Sequence, residues 1–172
     1  MRTALIFFLL ALPAWAQEKA TTDATAPACG PNNIKFDVTQ DKSPHPVAQP
    51  EPGKALVYFI QDKGAQSFGI GGSVETMIGL DGTWVGANRN NSYFSVSVEP
   101  GEHHACSTVP FYLKETVELA HFTAEAAGKV YYFRVRVILT RAGTRYFLAP
   151  LDSDQAKYWI ASYPLSVSHP KK

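Results

Sequence analysis

From residue 55 onward, apolar and polar positions alternate with a period of two far more often than with a period near 3.6. Residues 34–38 (IKFDV) alternate and predict a first strand. Residues 55–61 (ALVYFIQ) form an unbroken apolar run rich in β-branched and aromatic residues, as in a strand buried on both faces. Residues 74–80 and 83–87 flank Asp81-Gly82, a pair that supplies the positive φ angles of a tight hairpin turn. In residues 92–98, Phe94, Val96 and Val98 point one way and Tyr93, Ser95 and Ser97 the other. Pro100-Gly101 marks a reversal before a strand at 102–108. Further strands are expected at 118–125, at 129–139 (the longest) and at 145–148, the last two joined by a turn at Ala142-Gly143. Along the longest strand Tyr131, Phe133, Val135 and Val137 make one apolar face.

One segment has helical spacing. Asp152 is placed to cap it, with Gln155 three residues on, the capping-box interval. Ala156, Trp159, Ile160 and Tyr163 then share a face, and Pro164 ends the run. Prolines 44, 46, 50 and 52 exclude helix and central strand from residues 41–53, leaving an extended connector. Many short strands and one late helix predict an all-β fold, an antiparallel β-sandwich with one short C-terminal helix.

The N-terminus follows a different pattern. Arg2, the apolar run 4–12 and the small-residue exit Ala14-Trp15-Ala16 are the three parts of a secretory signal peptide. The run is well short of the roughly 20 residues that span a bilayer, so no transmembrane segment is expected in the mature chain. The organisation expected is a signal peptide at 1–16, a disordered leader at 17–33 and one sandwich domain at 34–170, exported to the periplasm or beyond. With 16 Lys+Arg against 15 Asp+Glu the chain has no basic stripe, which argues against nucleic acid as a partner. In an oxidising compartment Cys29 and Cys106 read most simply as one disulfide, worth about 4 kcal/mol in the chain-entropy model. Two buried thiols or a metal pair are the alternatives. The residues before Cys29 are not a lipid-attachment context.

Leu80-Asp81-Gly82-Thr83-Trp84-Val85-Gly86, Val98-Glu99-Pro100-Gly101-Glu102-His103-His104 and Gly128-Lys129-Val130-Tyr131-Tyr132-Phe133-Arg134-Val135 follow Pro52-Gly53-Lys54-Ala55-Leu56-Val57-Tyr58-Phe59 in that order. This ordered set resembles the exported bacterial proteins grouped as domain of unknown function 2846, and the wider PEGA-type β-sandwich group. The resemblance spans residues 52–148 in outline. It implies a small extracytoplasmic sandwich and carries no activity and no catalytic residues with it.

Candidate chemistry is sparse. No G-x-S-x-G elbow, H-E-x-x-H or C-x-x-C is present, and Gly69-Ile70-Gly71-Gly72-Ser73 lacks the G-K-[ST] ending of a phosphate loop. No motif calls for a cofactor. His103 and His104 are adjacent and so face opposite sides of a strand; His104 could share a metal ion with His121 only if their strands are neighbours. Asn90-Asn91-Ser92 matches a glycosylation sequon. The most suggestive surface is the polar face of the longest strand, where Tyr132, Arg134 and Arg136 align, with Tyr93 on the polar face of its own strand. Aromatics beside arginines suit a glycan or an anionic group. Arginine stems covering a sheet face are the plainer explanation. The expectation is therefore a non-catalytic envelope binding or structural accessory protein, its partner an unknown envelope component or protein. An envelope hydrolase or a metal-binding protein is the alternative.

Overall fold

The computed structural model describes residues 28–31, 34–62, 74–109, 117–140 and 143–171. Residues 1–16, expected as a signal peptide, most of the expected leader, the loop at 63–73 and the expected turn residue Ala142 lie outside the described residues. Within them the chain is mostly strand: β1 (Phe36–Asp41), β2 (Ala55–Gln61), β3 (Glu75–Leu80), β4 (Thr83–Arg89), β5 (Ser92–Val98), β6 (Gly101–Thr108), β7 (Glu118–Ala124), β8 (Val130–Thr140), β9 (Gly143–Pro150) and β10 (Leu165–Pro170), with one helix, α1 (Ser153–Ser162), between β9 and β10. They build two sheets. One has six strands in the order β1-β10-β5-β2-β8-β9, the other four in the order β4-β3-β6-β7.

The all-β sandwich with a late helix is as expected. Its hydrogen bonding is not purely antiparallel, however, because β2 pairs with β8 and β10 with β5 in parallel. A period-two pattern carries no strand direction, so this lay beyond the sequence. β10 itself was not expected: it is a short run lodged between Pro164 and Pro170.

β2 is the centre of the larger sheet, flanked by β5 and β8, and all seven of its residues are buried. Its inward residues Val57 and Phe59 meet Phe94, Phe133, Val135, Ile78 and Leu80 between the sheets. Val96 and Tyr131 are partly buried against that core. Its outward residues Leu56, Tyr58 and Ile60 are covered by Ala156 and Ile160 of α1. The doubly buried apolar run at 55–61 thus reflects one layer on each side of the strand. The helix is capped by Asp152, whose carboxylate accepts from the Asp154 and Gln155 amides.

The Asp81-Gly82 turn has φ of 49° and 78°, the pair of left-handed residues a type I′ hairpin requires. Residues 28–31, placed within the expected disordered leader, pack onto the smaller sheet. Ala28 is buried, Cys29 is bonded to Cys106 across a Cα–Cα distance of 5.6 Å, and Trp84 Nε1 donates to the Pro31 carbonyl at 2.8 Å. Gly79 makes room for this segment: a Cβ there would lie 2.8 Å from both the Ala28 carbonyl oxygen and Cys106 Sγ.

β10 shares a single registered pair with β5, Leu165 with Tyr93. It then turns onto β4, where Ser166 Oγ donates to the Ala87 carbonyl and the Ala87 amide donates to Ser168 Oγ. The β4 edge of the smaller sheet is covered in this way.

Candidate functional site

The site begins where β2 ends. Asp62 follows the apolar run, and its amide donates to the Val135 carbonyl of β8. In the parallel register Ile60 lies beside Arg134, so Arg134 and Arg136 project from the outer face close to the Asp62 carboxylate. Asp62 is only 9% exposed. Burying an anion there is tolerable because Arg134 grips one oxygen through both Nε, at 3.0 Å, and Nη2. The Arg134 guanidinium also lies 5.3 Å from the centre of the Trp159 ring, which joins α1 electrostatically to the sheet. Trp159 in turn stacks on Tyr163 at 6.0 Å.

Arg136 is held less tightly. Its Nε is 3.6 Å from the second Asp62 oxygen, too long for a hydrogen bond, and both atoms are buried with no hydrogen-bond partner among the described residues. The side chain is nevertheless 38% exposed, so its exposure lies away from Nε. Opposite it on β9 stands Phe147, 39% exposed, one of the few large apolar residues facing solvent.

The structure divides the four residues singled out on this face. Arg134 and Arg136 come together around Asp62. Tyr132 stacks on Tyr58 at 5.5 Å, and Tyr93 is 5% exposed, with its ring 6.1 Å from Tyr58. Burial raises the phenol pKa of Tyr93. Tyr93 and Tyr132 therefore belong to the layer beneath α1 rather than to an open surface, because the helix and the proline-rich connector cover them. Burial also raises the Tyr163 pKa, the Asp62 carboxylate adds to the rise, and the Arg134 guanidinium opposes it. Asp62, Trp159 and Phe147 were not among the expected site residues. The signal available was an acid directly after a doubly buried strand, which requires a cation nearby.

Two clefts lie beyond the C-terminal end of α1, and His45 lines both. One, of about 570 Å³, lies between Lys42–His45 and Ile160–Pro164. The other, of about 550 Å³, follows the seam where β10 leaves β5, lined by Tyr93, Phe94, Ser95 and Ser166. Tyr163 lines the first and Tyr93 lines both.

A second polar cluster sits at the far end of the smaller sheet. His103 is 8% exposed; its Nδ1 is 2.6 Å from Asp81 Oδ2 and its Nε2 is 2.7 Å from the Glu99 carbonyl oxygen. Both partners accept, so the ring makes both bonds only by donating from each nitrogen, which favours the imidazolium. Burial alone would lower its pKa, but Asp81 and the Glu99 carbonyl outweigh that and raise it. The other Asp81 oxygen accepts from the His104 amide.

β6 and β7 are neighbours, and His104 and His121 stand directly opposite each other. Both are on the solvent side, with Glu102 3.8 Å from His104. No group of three or more metal-ligating side chains is assembled among the described residues. The sequon residues are occupied in the β4–β5 turn: Asn90 Oδ1 accepts from the Val74 amide, and Ser92 is buried with its hydroxyl on Asn88. No helix among the described residues is long and apolar enough to cross a membrane. No family model, no curated protein and no solved structure matches this chain.

Proposed function

We propose that this chain is an exported, non-catalytic β-sandwich module that binds a component of the cell envelope through the outer face of its larger sheet. The observation that carries this reading is the imbalance around Asp62. Two guanidiniums converge on one buried carboxylate; Arg134 takes one oxygen and Arg136 only approaches the other, so Arg136 keeps donors for another anion. The signal-peptide pattern and the Cys29–Cys106 disulfide support an oxidising, extracytoplasmic setting. The motif set resembling the domain of unknown function 2846 family suits the same setting and adds no activity.

The test uses the mature protein, expected to start at Gln17 by intact mass. Retention on isolated envelope material is compared for wild type and Arg136→Ala. Retention should fall with the loss of Arg136 while the unfolding transition stays in place. Equal retention would sink the reading.

A further inference from the structure

Resting on that binding reading, we propose that the ligand is a linear acidic polysaccharide, held by a sugar carboxylate on Arg136 and by sugar faces on the aromatic rings beside it. Charge points to a monoanion. Arg134, Arg136 and Asp62 together carry one net positive charge, which a carboxylate balances, whereas a phosphate monoester brings about −1.5 to −2. Geometry points to a planar anion. Arg136 stands one two-residue step along β8 from Arg134, whose position is locked by Asp62 and Trp159. The Arg136 fork is thus presented from a rigid strand, suited to paired hydrogen bonds with a carboxylate.

The surroundings point to a chain of sugars rather than a lone acid. Phe147 flanks Arg136 on β9, while Trp159 and Tyr163 flank Arg134 on the other side. Rings on both sides of the cations, Phe147 exposed and Trp159 and Tyr163 half-buried, provide flat apolar edges and faces for saccharide rings, whose hydroxyls stay in water. Tyr163 also lines the cleft beside His45, which offers the sugar chain a second stretch of surface past the cations. A polymer fills such a track where a small acid would leave most of it empty.

The experiment is affinity electrophoresis of the mature protein in gels containing polygalacturonate, neutral dextran or polyphosphate. Polygalacturonate should retard the wild type, with retardation falling as salt rises; dextran should not. Arg136→Ala should weaken the apparent affinity at least fivefold, and Arg136→Lys, which keeps the charge without the fork, should fall between. Phe147→Ala tests the stacking, and circular dichroism confirms that each variant is folded. Equal retardation by dextran, equal retardation of wild type and Arg136→Ala, or stronger Arg136-dependent retardation by polyphosphate would each overturn the carboxylate-sugar assignment. If envelope retention still depends on Arg136 while polygalacturonate fails, only this inference falls. If retention is independent of Arg136, the binding reading falls with it.

Discussion

Two charge clusters among the described residues, one around His103 and one around Asp62, are built from similar parts and end differently. At the turn of the smaller sheet, His103 is closed between Asp81 and the Glu99 carbonyl, and Asp81 spends its other oxygen on the His104 amide. Every hydrogen-bonding atom of the ring is matched within the protein. It joins the β3–β4 hairpin to the β5–β6 turn and offers nothing outward. At the end of β2, Arg134 closes on one oxygen of Asp62, but Arg136 Nε and the second carboxylate oxygen have no hydrogen-bond partner among the described residues. A polar cluster that satisfies itself contributes to the fold. One that leaves a cation over has something to give to a ligand.

The comparison breaks most visibly if Arg134 is removed. Arg134→Ala strips a 9%-exposed carboxylate of its closest cation. Removing one member of a buried pair costs about 3–5 kcal/mol; with Arg136 still near and Arg134 itself partly exposed, a smaller loss of about 2–3 kcal/mol is expected in urea unfolding. Asp62→Ala in the same background should restore part of that loss, because no carboxylate is then left unpaired. A double variant less stable than Arg134→Ala alone would show that the cost of Arg134→Ala does not come from an unpaired Asp62 carboxylate.

Asp81→Asn opens the closed cluster. Its expected cost at pH 6 is about 1.5–3 kcal/mol, the range for hydrogen bonds to charged groups. It also changes the pH dependence. The folded His103 pKa is raised above the ordinary value of 6.5, so the imidazolium's contribution is fully present below that value and is lost as pH rises through the folded pKa. Asp81 is the ionised group bonded to the ring; Glu99 contributes its main-chain carbonyl, and Phe122 packs a ring against it. Wild-type stability should therefore decline as pH rises above 6.5, and Asp81→Asn should flatten that decline. Parallel pH profiles for the two proteins, measured by thermal melting, would contradict the clamp.

The smallest stability effect is expected at Arg136. Its contact with Asp62 is long and its side chain half-exposed, so Arg136→Ala should cost under about 1 kcal/mol. Retention on envelope material should nevertheless fall. The contrast sharpens if Arg134→Ala is chiefly a stability defect and Arg136→Ala chiefly a binding defect; it dissolves if the two variants behave alike.

Much of this architecture is local and was open to reading from the chain. The Asp81-Gly82 turn is decided by two residues that tolerate positive φ, and the observed angles are those of the expected hairpin. The core faces of β5 and β8 follow from alternation, because a strand directs successive side chains to opposite sides whatever its neighbours are. The Asp152 cap depends on atoms three residues apart. An isolated pair of cysteines in a chain patterned for export was enough to suggest the disulfide, and the structure joins them.

What the chain could not show depends on which strands meet. Arg134 and Arg136 looked like an open basic face because Asp62 is 72 residues from Arg134 and reaches it only through the parallel β2–β8 register. Tyr93 and Tyr132 looked exposed because α1 covers their side of the sheet only after β9 has brought the chain back. β10 escaped notice because its partners, β1 and β5, come from distant parts of the chain, and six residues between prolines carry no signal of their own. His104 and His121 could be recognised as opposed only once β6 and β7 were known to be neighbours. Side-chain alternation is determined within a few bonds and survives in the sequence. Strand order, direction and the partner of a buried charge are set by burial over the whole molecule, and only the tertiary structure decides them.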